Sequence, residues 1–374
     1  LVGLSGGVDS SVSALLLKEQ GHAVEGAFIV PYAPEWLPCN WRQERLDAMR
    51  VAAQLDIPFH TVDLSQEYKQ AVVDYLVREY RAGRTPNPDI MCNKHVKFGA
   101  FFAYAMEQGF DAVATGHYAR VVAGEGGGVE LHAGIDAGKD QSYFLWGVAE
   151  EALAHTHFPV GECEKKDVRA IAERHKLVTA AKKDSQGVCF LGKLDMKAFL
   201  THYIDEQPGD VLDVDGNVVG GHDGVFFITL GQRHGFTVTQ HNPAREPLYV
   251  VAKDVARNTL TVAPREHSET HATSEVVLTE TNWIGTPPTP TPDTTTYGAR
   301  FRYRQTLLPA TVSEIGSRSP IPMSEIGSRS HAVVRFAMPQ PYVPLGQSLV
   351  LYDGTRCLGG GIIAETKPAD IAAS

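Results

Sequence analysis

The order of strand-like and helical segments limits the possible folds of this chain more strongly than any other feature. Up to about residue 195 short apolar strands alternate with helices, whereas beyond residue 208 short strands broken by turn signals follow one another. Alternating strands and helices form βαβ units around a parallel sheet, and runs of short strands form small barrels. The sequence therefore predicts a parallel-sheet α/β domain over residues 1–198, a small central β domain over 199–268 and a C-terminal β-barrel over 269–374.

Hydrophobic periodicity places the individual elements. Strands are predicted over residues 1–4, 24–30, 59–64 and 112–115, and helices directly after the first strand and over 44–55, 68–81 and 96–108. Further strands are predicted over 276–278, 297–304, 332–336, 348–352 and 361–363. The heptapeptide Ser-Glu-Ile-Gly-Ser-Arg-Ser at 313–319 recurs at 324–330. We interpret the copy as a duplicated loop insertion, because so short a unit cannot bury a face.

Composition excludes several classes of protein. The chain of 374 residues has 34 Lys and Arg against 44 Asp and Glu, a net charge of −10, which rules out a uniformly basic nucleic-acid binder but not a local basic face. Residues 81–100 form such a stretch, with Arg81, Arg84, Lys94 and Lys97 against Asp89. No apolar run approaches the roughly 18 residues of a membrane span, and no secretory signal is visible. The first residue already lies in a predicted strand, so a few further residues are expected ahead of it.

Cysteine usage predicts a reducing compartment. The five cysteines are an odd number and include no Cys-x-x-Cys pair, which argues against a disulfide framework and a four-cysteine zinc site. We therefore expect a cytoplasmic protein without a resident metal site. Cys39, Cys163 and Cys357 are expected to be core or surface thiols.

A glycine-rich turn, Ser5-Gly6-Gly7-Val8-Asp9-Ser10-Ser11, follows the first strand. Glycines permit positive φ and close approach of the backbone, and the first N–H groups of the next helix favour an anion. Asp9 is suited to hold a magnesium ion on a bound phosphate. The turn lacks the Lys of the G-x-x-x-x-G-K-[ST] motif, so it does not belong to that class of NTPase.

The turn resembles the pyrophosphate loop of the N-type ATP pyrophosphatases. These enzymes cleave ATP between its α- and β-phosphates and adenylate a carbonyl oxygen, which turns a poor leaving group into a good one. An ordinary strand–helix turn with a serine cap is the alternative interpretation. The loop alone does not identify the molecule whose carbonyl oxygen is adenylated, because amidating synthetases and several tRNA-modifying enzymes share this loop.

Two cysteines lie in sequence contexts that favour reactivity. Cys92 follows Pro86-Asn-Pro-Asp-Ile-Met, and the prolines predict that the helix begins only near Asn93, which would leave the thiol at a helix N-terminus beside Lys94 and Lys97. Cys189 follows Lys182, Lys183 and a glycine-containing turn. For both, a buried structural thiol is the alternative.

The ordered motifs together resemble the family of bacterial tRNA-uridine 2-sulfurtransferases, also called tRNA-specific 2-thiouridylases, over nearly the whole chain. The motifs that carry the resemblance are Gly3–Val12, Pro86–Lys94, Lys97-Phe98, Ala114–Tyr118, Lys139–Phe144, Asp184–Phe190, Leu230–Arg233, Arg302–Gln305 and Cys357–Ile362. Residues 31–41 depart from the segment usual in that family.

The resemblance assigns roles to individual residues. It implies that ATP is bound by Gly3, Leu4, Ser5, Gly6, Gly7, Val8, Asp9, Ser10, Ile29 and Gly116, where the family usually has Met in place of Ile29. It implies tRNA contacts for Asn87, Pro88, Asp89, His117, Lys139, Asp140, Gln141, Arg302, Tyr303 and Gln347. Cys189 is expected to carry sulfur as a persulfide, with Cys92 as its partner in a transient disulfide and Asp89 as a proton shuttle.

The implied reaction is ATP-dependent 2-thiolation of the wobble uridine of tRNA. The base must leave its stack in the anticodon loop, since its C2 carbonyl is otherwise unreachable. ATP with transient Mg²⁺ adenylates the C2 oxygen, and the persulfide replaces it with sulfur. The expected partners are the tRNA anticodon stem-loop and a persulfide relay donor, and a monomer is favoured. An amidating synthetase and a catalytically inactive tRNA-binding relative are the competing interpretations.

Overall fold

The structure, a computed structural model, describes residues 1–37, 41–124, 127–184, 195–239, 246–265, 272–290, 296–316 and 330–369. Its first strands are β1 (Val2–Gly3), β2 (Gly26–Val30), β3 (Phe59–Asp63), β4 (Val113–Ala114), β5 (Ala119–Ala123), β6 (Val129–Ala133) and β7 (Thr156–His157). Five of them form one sheet in the order β3-β2-β1-β4-β7, with every pairing parallel. The predicted parallel sheet is confirmed.

Helices cover both faces of the parallel sheet. They are α1 (Val8–Glu19), α2 (Trp41–Gln54), α3 (Ser65–Tyr68), α4 (Tyr75–Arg81), α5 (Pro88–Met91), α6 (Phe101–Glu107), α7 (Glu150–Ala154), α8 (Lys165–Arg174) and α9 (Met196–Leu200). Lys69–Asp74 joins α3 to α4 and Cys92–Ala100 joins α5 to α6, both wound as π-helix, and single 3₁₀ turns occur at Ser142–Leu145, Pro159–Glu162 and Val225–Phe227. None of the helices in the described ranges is long and apolar enough to cross a membrane.

The two faces of the sheet carry separate cores. Successive strand residues point to opposite faces. Ala27 accordingly packs with residues of α3 to α6, such as Leu76, while Phe28 packs with residues of α1 and α8, such as Val12 and Val168. The sheet is therefore buried on both sides, and its carboxyl edge is where loops can build a site.

The central part of the chain forms a second sheet, which also has five strands. Its strands are β8 (Gly209–Leu212), β9 (Val218–His222), β10 (Phe236–Val238), β11 (Leu248–Asp254) and β12 (Thr259–Pro264), in the order β10-β9-β8-β12-β11. Val211, Val250 and Leu260 are fully buried in its core.

The last part of the chain closes into a barrel. Its strands are β13 (Thr273–Trp283), β14 (Tyr297–Arg300), β15 (Leu308–Gly316), β16 (His331–Gln340), β17 (Ser348–Asp353) and β18 (Arg356–Pro368). β13 pairs with both β16 and β18, which closes the ring, and this confirms the predicted C-terminal barrel.

The structure departs from the sequence-based assignments in the barrel sheet. The hairpin β5–β6 pairs with β18 through Cys357 opposite Leu131, so the first part of the chain adds two strands to the barrel. The strand expected over 297–304 ends at Arg300. The first heptapeptide copy begins inside β15, so its first four residues are strand rather than loop, while residues 317–329 lie outside the described ranges.

Candidate functional site

The phosphate loop, residues 5–10, connects β1 to α1 and is held by its own side chains. The Ser5 N–H donates to Ser10 Oγ at 3.2 Å, and the Gly7 N–H donates to Ser5 Oγ at 3.3 Å. Gly6 has a φ of 73°, and a Cβ there would lie 2.4 Å from the Glu44 carbonyl oxygen. The turn therefore requires glycine for both its conformation and the approach of α2.

The loop directs the amino end of α1 toward the carboxyl edge of the sheet. α1 begins at Val8, carries Asp9 in its first turn and has twelve residues, so its first N–H groups and dipole favour an anion in front of the loop. β1 lies between β2 and β4, and strand connections leave it in opposite directions. Such a switch point is where open α/β sheets bind nucleotides.

Gly116 lies just after β4 and Ile29 lies near the end of β2, and these are the two strands on either side of β1. A Cβ on Gly116 would lie 2.7 Å from the Ser10 nitrogen and 2.8 Å from the Asp9 carbonyl carbon, so the chain after β4 passes directly against the phosphate loop. Ile29 is the penultimate residue of β2 and is partly buried. Both predicted adenosine-pocket residues thus border the loop's edge of the sheet.

Cys92 lies further inside a helix than its sequence predicted. The helix begins at Pro88 rather than near Asn93, with Asn87 as its N-cap: the Asn87 side chain accepts hydrogen bonds from Asp89 N at 3.1 Å and Ile90 N at 3.4 Å. Proline is favoured in the first turn of a helix, because the N–H groups of that turn have no intrahelical acceptor and the lack of an N–H therefore costs no hydrogen bond. The expectation of a thiol at the helix N-terminus was therefore wrong. Cys92 is buried and is the first residue of the π-helical stretch at Cys92–Ala100, and π-helical turns occur frequently at functional sites.

Burial and a nearby lysine set the electrostatic environment of Asp89. Burial raises the pKa of its carboxyl, and the charge of Lys97 partly opposes that shift. Lys97 in turn reaches His117, with Nζ 3.4 Å from Nε2, and His117 Nδ1 lies 2.6 Å from Thr115 Oγ1. Burial and then the charge of Lys97 hold the pKa of His117 well below its usual range, so this imidazole is neutral near pH 7.

Four of the predicted tRNA-contacting residues are brought together where barrel loops meet the turn before Cys92. The Gln347 amide donates to Thr85 O at 2.8 Å and to Pro86 O at 3.2 Å. The Asn87 side chain lies within hydrogen-bonding reach of the Tyr143 hydroxyl, which itself donates to Ser348 O at 2.9 Å. Tyr303 packs on Phe144 at 4.7 Å between ring centroids, and exposed Arg302 donates to Tyr342 O at 2.8 Å.

The segment Lys139-Asp140-Gln141 is tied into the protein rather than presented as a solvated turn. Lys139 Nζ lies 2.7 Å from Asp184 Oδ2, and Gln141 Oε1 accepts from Tyr118 N at 2.9 Å. Asp140 is 6% exposed and pairs with Arg300 of β14 at 2.5 Å. The structure therefore gives Asp140 a buried ionic contact between the first part of the chain and the barrel.

The remaining cysteines divide into described and undescribed positions. Cys189 and Cys39 lie outside the described residues, so the pairing of Cys92 with Cys189 stays a prediction. Cys357 is fully buried, and burial raises the pKa of its thiol to about 12. Cys163 is partly exposed, and burial together with Asp167 and Glu162 raises the pKa of its thiol.

Sequence reasoning missed Lys165, the first residue of α8. Its ammonium lies 2.7 and 2.8 Å from the two carboxylate oxygens of Asp9 and 2.9 Å from Asp184 Oδ1. The Tyr118 hydroxyl also donates to Asp9, at 2.8 Å. No motif around Lys165 gives a signal, because it reaches the loop only through the packing of α8 against α1.

The acidic residues of the site fit a magnesium ion that arrives with a phosphate. Within the described ranges no group of three or more His, Cys, Asp or Glu side chains could hold a metal ion alone. Magnesium commonly binds through one or two carboxylates together with substrate phosphates. Asp9, partly exposed in front of the loop, is the residue here that matches this requirement.

Comparisons with known proteins agree with this architecture. Three family models match consecutive parts of the chain: the tRNA methyl transferase HUP domain over 1–193, the tRNA methyl transferase PRC-barrel domain over 197–264 and the aminomethyltransferase beta-barrel domain over 273–363. Among solved structures, a predicted subunit of tRNA methyltransferase from Methanocaldococcus jannaschii is 14% identical over 57% of this chain and 79% of that chain, with a TM-score of 0.23.

Curated relatives match nearly the whole chain. A tRNA-specific 2-thiouridylase MnmA from Enterococcus faecalis is 45% identical over 97% of this chain and 94% of its own length. Proteins of the same name from Lysinibacillus sphaericus and Streptococcus sanguinis are 42% and 43% identical over 98% and 97% of this chain and 94% of their own lengths. The chain belongs to the tRNA-specific 2-thiouridylase family.

Proposed function

We propose that the protein catalyses ATP-dependent 2-thiolation of the wobble uridine in tRNA. The observation that carries the proposal is the phosphate loop at the switch point of the parallel sheet, with Gly116 packed against it, in a chain whose relatives are named 2-thiouridylases. That name favours sulfur transfer over amidation as the use of the loop. The proposed site of action is the cytoplasm, and the proposed state is a monomer.

The first proposed step is activation of the uridine. ATP binds with its phosphates before the amino end of α1, and the C2 oxygen of the base attacks the α-phosphate and releases pyrophosphate. The C2 oxygen is then bonded to the phosphorus of AMP, and AMP is a far better leaving group than oxide. The partial burial and raised pKa of Asp89 suit it to exchange protons beside the base, since a carboxyl that is neutral more of the time can both donate and accept.

The second proposed step is sulfur transfer. The terminal sulfur of a Cys189 persulfide attacks C2, and AMP leaves with the former C2 oxygen. The Cys92 thiolate then attacks the inner sulfur and breaks the sulfur–sulfur bond, which leaves one sulfur on C2 and joins Cys92 to Cys189 as a disulfide. An external dithiol reduces this disulfide, and a persulfide donor protein recharges Cys189.

The barrel is proposed to hold the anticodon stem-loop. Arg302 and Tyr303 lie on the exposed side of the junction with the turn at 85–89, where a cation can meet phosphates and an aromatic ring can meet a base. Such contacts do not require a basic protein overall, because only the local surface faces the phosphates. Binding should weaken as salt concentration rises.

The deciding experiment is mass spectrometry of tRNA nucleosides after incubation with ATP, Mg²⁺ and a persulfide donor. We expect 2-thiouridine to form, together with one AMP per thiolated base, and we expect no product without ATP. Cys92→Ser should abolish thiolation by persulfide while leaving ATP binding intact. Cys163→Ser, a change at a cysteine away from this turn, should leave the yield unchanged. Full product yield from Cys92→Ser would contradict its assigned role, and tRNA binding without pyrophosphate release in the wild type would contradict the reaction itself.

A further inference from the structure

The phosphate loop lacks a lysine of its own, yet an ammonium group lies directly on it. Lys165, 156 positions after Asp9, places Nζ within 2.8 Å of both Asp9 carboxylate oxygens. Its position is fixed at the backbone, where the Lys165 N–H donates to Asp136 Oδ2 at 2.9 Å. The side chain is only 12% exposed and passes over the Tyr118 ring, with Nζ 5.7 Å from the ring centroid.

Lys165 is shared between two carboxylates that lie within reach of solvent. It also pairs with Asp184 at 2.9 Å, and Asp184 has two further cations, Arg169 at 2.5 Å and Lys139 at 2.7 Å. The cluster thus has three cations on two carboxylates. Burial alone would raise the pKa of Asp184, but hydrogen bonds from Lys139 and Lys165 hold it well below its usual range.

This arrangement suits the Lys165 ammonium to bind an anion that enters from solvent. The Asp9 and Asp184 side chains are 30% and 31% exposed, so a ligand can approach the pairs from solvent, and the amino end of α1 lies beside them. An anion that replaces Asp9 and Asp184 as the partners of Lys165 would release Asp9 toward a cation that accompanies the anion. In enzymes with the G-x-x-x-x-G-K-[ST] motif the loop lysine contacts the β- and γ-phosphates.

We propose that Lys165 is the phosphate-binding lysine of this site: it exchanges Asp9 and Asp184 for the β- and γ-phosphates of ATP and holds the pyrophosphate as it leaves. The inference rests on the proposed function only in taking ATP as the ligand. It assigns to a residue of α8 the electrostatic role that the loop sequence cannot supply.

The test is isothermal titration calorimetry with ATP, inorganic pyrophosphate and AMP as separate ligands, each in the presence of Mg²⁺. For Lys165→Met we expect affinity for ATP and pyrophosphate to fall about tenfold to a hundredfold, the loss typical of one charged hydrogen-bonding partner, while AMP affinity stays within about twofold. The matched control is Lys166→Met, since Lys166 is the next residue, is 76% exposed and pairs with Glu164 instead. This variant should bind all three ligands as the wild type does.

A second variant separates phosphate binding from a purely structural role. Asp184→Asn removes a competing carboxylate, so it should bind pyrophosphate at least as tightly as the wild type does. If Lys165 served only to hold Asp184 in place, Lys165→Met and Asp184→Asn would weaken all three ligands alike, and the inference would be overturned. Should Lys165→Met not fold, the double variant Lys165→Met/Asp184→Asn, which leaves one carboxylate fewer unpaired, must show the same selective loss of ATP and pyrophosphate.

The outcomes distinguish this inference from the proposed function. Unchanged pyrophosphate affinity in a folded Lys165→Met protein would overturn the role of Lys165 alone. Absence of ATP binding in the wild type would overturn the proposed function, and with it the ligand assumed here.

Discussion

Replacing Asp140 with Asn should destabilise the protein because it breaks a buried ion pair at the joint between the first part of the chain and the barrel. The Asp140 and Arg300 side chains are 7% and 10% exposed, and their charges lie 2.5 Å apart. Asp140 Oδ1 also accepts from the backbone N–H groups of Gly134 at 3.2 Å and Ser142 at 3.0 Å. The variant keeps the shape of the side chain but leaves the guanidinium without its carboxylate.

The expected loss can be sized from these contacts. Removing one partner of a buried ion pair typically costs about 3–5 kcal/mol, because the other charge stays buried. Arg300 retains two hydroxyl contacts, Tyr352 Oη at 2.6 Å and Ser142 Oγ at 3.2 Å, so we expect the lower end of that range, about 3 kcal/mol. With a urea dependence of about 2–3 kcal/mol per molar, the unfolding midpoint should fall by about 1 M.

The first assay is urea unfolding at pH 7. The second is tRNA binding, measured without urea, where the variant is folded. Asp353→Asn is the matched control, since Asp353 is an exposed aspartate one residue after Tyr352 in the same sheet. We expect its midpoint to match that of the wild type. An Asp140→Asn midpoint within experimental error of the wild type, with tRNA affinity reduced, would refute this reasoning and favour direct contact of Asp140 with tRNA.

Three further predictions concern the site itself. Gly116→Ala should weaken ATP binding, because its Cβ would lie 2.7 Å from Ser10 N and overpacking costs about 1–3 kcal/mol; calorimetry measures this. Gln347→Ala should lower the thiolation rate with ATP affinity unchanged, because it removes the amide that holds Thr85 O; single-turnover kinetics measure this. The pKa of His117 is lowered in the folded state, so the unfolded state takes up the proton at a higher pH, and the free energy of unfolding of the wild type falls as pH drops below about 6.5. His117→Gln removes this titrating group, so the free energy of unfolding of the variant should fall less over the same pH range. Urea midpoints between pH 7.5 and 5.5 test this.

Matched controls exist for each of these changes. Gly221→Ala adds a Cβ at ordinary contact distance, 3.5 Å from the Gly209 carbonyl oxygen, and should leave ATP binding unchanged. Gln340→Ala removes an amide that bonds Met338 O on the barrel, and it should leave the thiolation rate unchanged. His234→Gln changes an exposed histidine, and its urea midpoints should fall between pH 7.5 and 5.5 as those of the wild type do. A control that changes as much as its partner variant would show that the effect is not specific.

Local pattern was sufficient for the parallel sheet and the barrel. Apolar strands between amphipathic helices predict a parallel sheet wherever they occur, and the glycines of the phosphate loop predict a tight turn before α1. The hairpin β5–β6 escaped prediction because its short strands resemble any exposed hairpin in sequence, and only its pairing with β18 shows where it belongs. Register between distant strands is decided by tertiary packing, which single-sequence periodicity does not contain.

The start of the helix before Cys92 shows how a local rule can be applied to the wrong residue. Pro86 and Pro88 disfavour a helix through the residues that precede them, but Pro88 itself is favourable as the first helical residue. Asn87 decides between these effects, because its side chain caps the backbone N–H groups of Asp89 and Ile90. A search for the Asn-Pro-Asp cap would have placed the helix correctly.

The barrel takes part in the site through the backbone as well as through side chains. Thr85 N donates to Leu345 O at 2.8 Å, and the Gln347 amide bonds the carbonyl oxygens of Thr85 and Pro86. A Cβ on Gly346 would lie 3.0 Å from Thr85 N, so the barrel loop and the turn before the Asn87 cap are in close contact. Because Asn87 starts the helix that carries Cys92, we expect a shift of the barrel loop against this turn to move the thiol as well. On the proposed function, a tRNA bound to the barrel would position Cys92 through this turn without touching it, and residues more than two hundred positions apart would act at one site.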